Sequence, residues 1–231
     1  MSAPNYKFHP SEKPSLPVIE APVLVATDAT LKGYGCLVDD PDTFEIEIAQ
    51  WPAQGWRPID DGTGDEAGWV EGMFRCRWGG DVIYAVNDAV GGDYVLGFST
   101  DPQHAATDSP TVARDHVLLW HMNYHPDGGQ FFYPVEKKPF IVPAALPGDD
   151  LRPEHVVTFW SDGSKGIYIH PGVWHEGVFP VEDQQNFRDR QGRVHARVSC
   201  DLGEEFGAYV AAPLQVPQSC PQVLMSDSSV A

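Results

Sequence analysis

Two stretches of sequence decide the fold, and the first is HMNYHPDGGQFFYP at residues 121–134. Side chains alternate between the two faces of an extended strand, so His121, Asn123 and His125 are expected to share one face. Gln130 follows a Pro-Asp-Gly-Gly turn that can return the chain onto the same sheet. The stretch therefore predicts a hairpin with a polar face.

The second stretch is GIYIHPGVWHEGVFP at residues 166–180. Strand alternation places Tyr168 and His170 on one face. A Pro171-Gly172 turn then delivers His175, because proline fixes the turn and glycine relieves its strain. The pattern predicts that His175 is held rigidly and that it meets His125 and Gln130 at a common interior point.

The rest of the chain indicates an all-β fold. Glycine (22) and proline (21) make up roughly a fifth of the residues, above the usual combined share of about 12%. Both residues interrupt helices and mark turns, and many short strand-like runs lie between them. Such a pattern favours a sandwich or a closed barrel with few short helices, since closure removes exposed sheet edges.

The chain is expected to form one main domain, because no linker or repeat divides it. Residues 1–17 are predicted to be a flexible arm, residues 18–213 the β-domain, and residues 214–231 a loose tail. The acidic, glycine-rich segment 60–72 is predicted to be a surface loop.

Charge and composition exclude several classes of partner. The 15 Lys and Arg against 33 Asp and Glu give a net charge of −18, which disfavours nucleic acid and anionic membranes as partners. The N-terminus has no apolar segment of the secretory type, and the four cysteines form no CxxC pair. A cytoplasmic protein with reduced thiols is expected.

The two stretches together resemble the paired motifs of cupins, in which four side chains hold one divalent metal. The matching positions here are Asn123, His125, Gln130 and His175. The resemblance implies a metal such as nickel, zinc, iron or manganese at His125, Gln130 and His175. Amides replace a His at Asn123 and a Glu at Gln130, which weakens the set because amide oxygens are neutral ligands. Satisfied polar groups inside the domain remain the alternative interpretation.

Within the cupins, the chain resembles the ureidoglycolate lyase family, on the segments 125–126, 130–134 and 170–175, on the turn from Gly163 to Gly166, and more weakly on 31–35. The family favours an acidic residue at Asn123 and a His at Glu176. The resemblance implies a single cupin-type antiparallel β-barrel (jelly-roll-like), a homodimer, and a small carboxylate substrate. This chain departs from the family by an extended N-terminal half, which includes the acidic segment 60–72. The implied reaction splits ureidoglycolate into glyoxylate and urea, a step of purine catabolism.

Cleavage of that substrate requires a base, an acid and a cationic group, which sets the remaining site predictions. His170 is the first candidate acid or base, followed by Glu176 and Tyr168. Arg197 is the candidate to bind the carboxylate, on a polar face that it shares with Arg193, His195 and Ser199. An ordinary strand whose polar face points to solvent is the favoured alternative. Asn123 and His121 complete the predicted substrate-binding set.

Two other functions stay open from the sequence. One is another metal-dependent cupin enzyme, such as an isomerase, hydrolase or dioxygenase, acting on a small polar acid. The other is a non-catalytic cupin that binds a small ligand, which the amides at Asn123 and Gln130 favour.

Overall fold

The computed structural model describes residues 12–49, 55–60, 63, 67–108 and 114–216. The all-β prediction is confirmed, because strands dominate these residues. The helical elements within the described ranges are the short helix α1 (Leu202–Phe206) and a 3-10 turn at Pro153–His155. None of this helical structure combines the length and apolarity that a membrane span requires.

Seventeen strands lie in the described part of the chain and are numbered in chain order. They are β1 (Val18–Glu20), β2 (Val23–Val25), β3 (Gly35–Val38), β4 (Trp69–Gly79), β5 (Val82–Asn87), β6 (Gly92–Phe98), β7 (His116–Leu119), β8 (His121–Tyr124), β9 (Gln130–Pro134), β10 (Phe140–Ala145), β11 (Val157–Ser161), β12 (Gly166–Ile169), β13 (Trp174–His175), β14 (Phe179–Pro180), β15 (Gln184–Gly192), β16 (Val198–Asp201) and β17 (Tyr209–Pro213).

The strands form two sheets. The first has the order β1-β17-β7-β6-β5-β4-β15-β9-β12-β3, and the second the order β16-β8-β13-β10-β11-β2, with β14 beside β10. The pairs β1–β17 and β11–β2 are parallel, and the other paired strands are antiparallel. Each sheet keeps two edges, so the barrel-like body consists of two sheets without a closed hydrogen-bonded ring.

One apolar core joins the two sheets. Phe74 and Phe132 from the first sheet pack in the same buried cluster as Val142 and Phe159 from the second. Burying such a side chain stabilises the fold by roughly 1.5–3 kcal/mol. The inner faces of the two sheets pack against each other and bury their apolar side chains. The core therefore forms without hydrogen bonds between the edge strands of the two sheets.

The longest pairing was not expected from the sequence. Strands β4 and β15 are antiparallel from Gln184 opposite Arg77 to Gly192 opposite Trp69. The sequence of β15 shows no apolar alternation on its outward face, which carries Arg188 and Arg190. Both arginines form ion pairs with Glu71 of β4. The prediction of a surface loop over residues 60–72 is wrong from Trp69 onward, because β4 begins there.

The predicted arm and tail lie partly outside the described residues, namely at 1–11 and 217–231. Residues 12–17 contact the domain: the Tyr209 hydroxyl donates to the Pro14 carbonyl at 2.7 Å, and Lys13 lies 4.2 Å above the Trp120 ring. Leu214, at the start of the predicted tail, is 1% exposed. The domain boundaries at 18 and 213 stay predictions.

Candidate active site

A small polar pocket opens between the two sheets. Strands of the first sheet supply Gln130 and aromatic walls, and strands of the second sheet supply Asn123 and His175. Its lining residues are Phe74, Asn87, Tyr94, Leu96, Asn123, His125, Gln130, Phe132, His175, Glu176, Gly177, His195 and Arg197. The predicted convergence of His125, Gln130 and His175 is therefore confirmed.

Backbone carbonyls fix the two predicted histidines of the pocket. His125 Nδ1 lies 3.0 Å from the Ala196 carbonyl, and His175 Nδ1 lies 2.8 Å from the Val173 carbonyl. A carbonyl only accepts, so each Nδ1 carries the proton and each Nε2 keeps its lone pair. The ring centroids are 5.3 Å apart.

The tight turn before His175 explains this arrangement. Gly172 has φ +78, a conformation that L side chains rarely adopt, and its N–H donates to the His125 carbonyl at 2.9 Å. The turn thus ties the two histidine-bearing segments together by a backbone bond. Strand pairing continues the link, since His175 lies opposite Asn123.

Burial keeps both imidazoles neutral. Desolvation lowers the pKa of His125 well below its usual value, and the neighbouring His195 and His175 lower it further. The pKa of His175 is lowered by the same burial. Neutral imidazoles with free Nε2 lone pairs are the form that accepts a hydrogen bond or binds a metal.

Asp189, which sequence reasoning missed, organises the polar groups of the pocket. Its carboxylate is fully buried and accepts hydrogen bonds from Gln130 Nε2 (2.7 Å), Asn87 Nδ2 (2.7 Å) and Gln191 Nε2 (3.0 Å). These bonds fix the amide orientation of Gln130, so its Oε1 faces His175 Nε2 at 3.2 Å. The signal in the sequence was the alternation of Asp189 and Gln191 with outward arginines in QQNFRDRQG.

His195 is the third imidazole of the pocket, and the sequence indicated it only as part of a polar face. Its Nδ1 lies 2.8 Å from Gln191 Oε1, and its ring centroid lies 5.0 Å from that of His125. Its φ of 49 is left-handed, which is uncommon outside glycine. Burial and the Arg197 charge lower its pKa to about 3.

Arg197 and Glu176 supply the charged groups of the pocket. Arg197, whose orientation the sequence left open, lines the cavity and donates from Nε to Asp60 Oδ2 at 2.8 Å. Glu176 Oε2 lies 2.6 Å from Nδ1 of His121. His121, predicted to bind substrate, instead lies behind Glu176 as its partner and is absent from the lining.

Tyr168 and His170 do not reach this pocket, so their predicted catalytic roles do not fit the structure. Ile169 is paired with Gln130 and shares its inward face, which turns Tyr168 and His170 to the other side of the sheet. The Tyr168 hydroxyl accepts from the Glu47 N–H at 3.1 Å, and the His170 side chain is 42% exposed.

Tyr94 is a further pocket residue that the sequence did not single out. It lies on β6 among the lining residues. Burial raises its pKa to about 12, partly offset by the nearby Arg197. The phenol therefore keeps its proton at neutral pH and can donate a hydrogen bond into the pocket.

The buried carboxyl of Asp189 predicts a specific pH dependence of stability. Burial raises its pKa from 3.8 to about 7. Between these values the folded state holds the extra proton, so the free energy of unfolding falls as pH rises and levels off above 7. The free energy of unfolding of the wild type, measured relative to that of Asp189→Asn, should therefore fall by up to about 4 kcal/mol from pH 4 to 7. Guanidinium unfolding at several pH values measures it, and a pH-independent difference would contradict the buried carboxyl.

The fold and the pocket together define an all-β protein with an imidazole-amide centre between two sheets. The family model for ureidoglycolate lyase matches residues 91–204. Those residues include every pocket residue named above except Phe74 and Asn87. The chain belongs to the ureidoglycolate lyase family.

Three relatives illustrate the extent of the similarity. The ureidoglycolate lyase of Azotobacter vinelandii is 32% identical over 141 residues, which cover 53% of this chain and 81% of that protein. Those of Stutzerimonas stutzeri and Pseudomonas savastanoi are 43% and 39% identical, over 33% of this chain in each case. The matched segments span 46% and 45% of these two proteins, less than half of their length.

Proposed function

We propose that this chain is a ureidoglycolate lyase, which cleaves ureidoglycolate into glyoxylate and urea. The observation that carries the proposal is the pocket itself, where neutral imidazoles, the Arg197 cation and the Glu176 carboxylate meet inside the family-matched region. The relatives named ureidoglycolate lyase support the same reaction.

The chemistry of this substrate sets what the pocket must do. One carbon of ureidoglycolate bears a hydroxyl, a carboxylate and a urea nitrogen. A base removes the hydroxyl proton, the C–O bond becomes the carbonyl of glyoxylate, and the C–N bond breaks. The departing nitrogen takes up a proton, which gives urea.

Glu176 is the residue best placed to move that proton. It lines the pocket, and the buried His121 holds one of its oxygens at 2.6 Å. A carboxylate in this position can accept the hydroxyl proton and return the same proton to the leaving nitrogen. Arg197 is the cation that would bind the substrate carboxylate, oriented by its bond to Asp60.

The donor set fits a divalent metal. His175 Nε2 and Gln130 Oε1 both present lone pairs, yet they face each other at 3.2 Å. A cation between them, or a donor from the substrate, relieves that contact. No three His, Cys, Asp or Glu in the described ranges are arranged to hold an ion, so Gln130 would complete a set with His125 and His175. A metal there, such as nickel, zinc, iron or manganese, would polarise substrate oxygens.

Gln130→Ala is expected to weaken metal binding at least tenfold, because it removes the amide ligand. Metal content after equilibrium dialysis, measured by mass spectrometry, checks this, and it does not depend on turnover. Gln103→Ala is the control, since Gln103 is exposed and lies outside the pocket. Equal metal content in all three proteins would remove Gln130 from the ligand set.

The reaction is tested by product analysis of the metal-loaded protein. Ureidoglycolate should yield glyoxylate and urea in equal amounts, without ammonia. Ammonia in place of urea would show a hydrolase of the same fold, and absence of products with ligand binding retained would show a binding protein. We also propose a cytoplasmic homodimer, which light scattering of the purified protein would test by its mass.

A further inference from the structure

Asn123 carries a buried oxygen that nothing in the described structure satisfies. The residue is 7% exposed, lines the pocket, and donates from Nδ2 to the His175 carbonyl at 3.1 Å. The other polar atom of the amide, Oδ1, is buried and has no hydrogen-bond partner among the described residues. A buried acceptor left unpaired is destabilising, so its presence in a pocket points to a donor on the ligand.

His195 presents a second acceptor to the same pocket. Gln191 donates to Asp189 through Nε2, which leaves its Oε1 to accept from His195 Nδ1. The proton of His195 is thereby held on Nδ1, and Nε2 is the lone-pair nitrogen. The backbone of His195 is in the left-handed region, with φ 49, which is unfavourable for a residue with a side chain. The surrounding structure therefore keeps His195 in this position at a cost in conformational energy.

Both acceptors are suited to one part of the substrate. A carboxylate offers only lone pairs and would be repelled by Asn123 Oδ1 and His195 Nε2. A ureido group offers N–H donors on both nitrogens. The carboxylate is matched by Arg197, the permanently charged cation among the lining residues.

We propose that Asn123 Oδ1 and His195 Nε2 bind the N–H groups of the ureido end of the substrate, while its carboxylate lies toward Arg197. This inference rests on the proposed function and adds the orientation of the substrate in the pocket. It makes Asn123 and His195 specificity residues. Analogues whose terminal nitrogen is methylated lose donors and are expected to bind poorly.

Separate titrations with urea and with glyoxylate, followed by ligand-observed NMR, test the orientation without relying on turnover. Asn123→Leu should weaken urea binding at least tenfold and change glyoxylate binding less than twofold. Arg197→Gln should do the reverse. Asn123→Asp keeps an acceptor oxygen but loses the Nδ2 donor to the His175 carbonyl, so it should bind urea more tightly than Asn123→Leu and less tightly than the wild type. Melting curves confirm that each variant is folded.

The outcomes separate this inference from the proposed function. If Asn123→Leu weakens both ligands equally, or binds urea as the wild type does, the orientation is wrong even when the wild type cleaves ureidoglycolate. A wild type that binds neither ligand also overturns it. A wild type that binds both ligands as expected but releases no products contradicts only the cleavage reaction.

Discussion

His175→Ala is expected to lower kcat/KM for ureidoglycolate by roughly 10³-fold. His175 Nε2 faces Gln130 Oε1 at the centre of the pocket, and its Nδ1 is held by the Val173 carbonyl. Truncation removes this oriented lone pair from the point where substrate or metal is bound. Steady-state kinetics measures the loss, and the circular dichroism spectrum should keep its all-β shape.

His170→Ala is the matched control for that prediction. Its ring lies 5.3 Å from the Tyr168 ring, on the face turned away from the pocket, and its side chain is 42% exposed. Activity within about threefold of the wild type is expected, as for most surface substitutions. The reverse pattern, with His170→Ala inactive and His175→Ala active, would move the site to the other face of the sheet.

Glu176→Gln is expected to lower kcat by roughly 10²–10⁴-fold, the usual range for removal of a general acid or base. The amide keeps the shape of the side chain but cannot take the hydroxyl proton. KM should therefore change little, and steady-state kinetics measures both constants.

The surface variant Glu182→Gln controls for loss of charge, because Glu182 is exposed and pairs with Lys138. It should retain the wild-type rate. A Glu176→Gln variant with normal kcat and raised KM would show that Glu176 binds substrate without moving its proton.

The sequence predicted the centre of the site because local rules position it. Strand alternation through residues 121–125 places Asn123 in the pocket. The predicted hairpin is wrong, because the turn after His125 carries the chain from β8 in the second sheet to β9 in the first, and Gln130 enters the pocket from the opposite sheet. The Pro171-Gly172 turn then adds His175, whereas the bond from the Gly172 N–H to the His125 carbonyl joins two segments that are far apart in the sequence. Glycine and proline content alone was sufficient to favour short strands over helices.

Residues placed by strand register could not be predicted in the same way. Which face Tyr168 and His170 occupy depends on the pairing of Ile169 with Gln130, and no local pattern sets that register. Glu176 directly follows His175 and would face the opposite side on an ideal strand. Strand β13 ends at His175, however, and both side chains line the pocket.

The buried network around Asp189 was missed for a different reason. Strand β15 carries polar residues on both faces, so its inward face has no apolar alternation. Asp189 and Gln191 are buried because they satisfy one another and their amide neighbours. Their outward neighbours Arg188 and Arg190 are satisfied by Glu71. Hydrogen-bond complementarity of this kind appears only once the strands are paired.

A crystal structure of the protein with urea and glyoxylate tests the central claim most directly. Both products should lie in the pocket between the sheets, with urea nitrogen beside Asn123 and the glyoxylate carboxylate beside Arg197. An unoccupied pocket, with product density instead at the groove lined by Leu16, Asp101 and Tyr209, would contradict it.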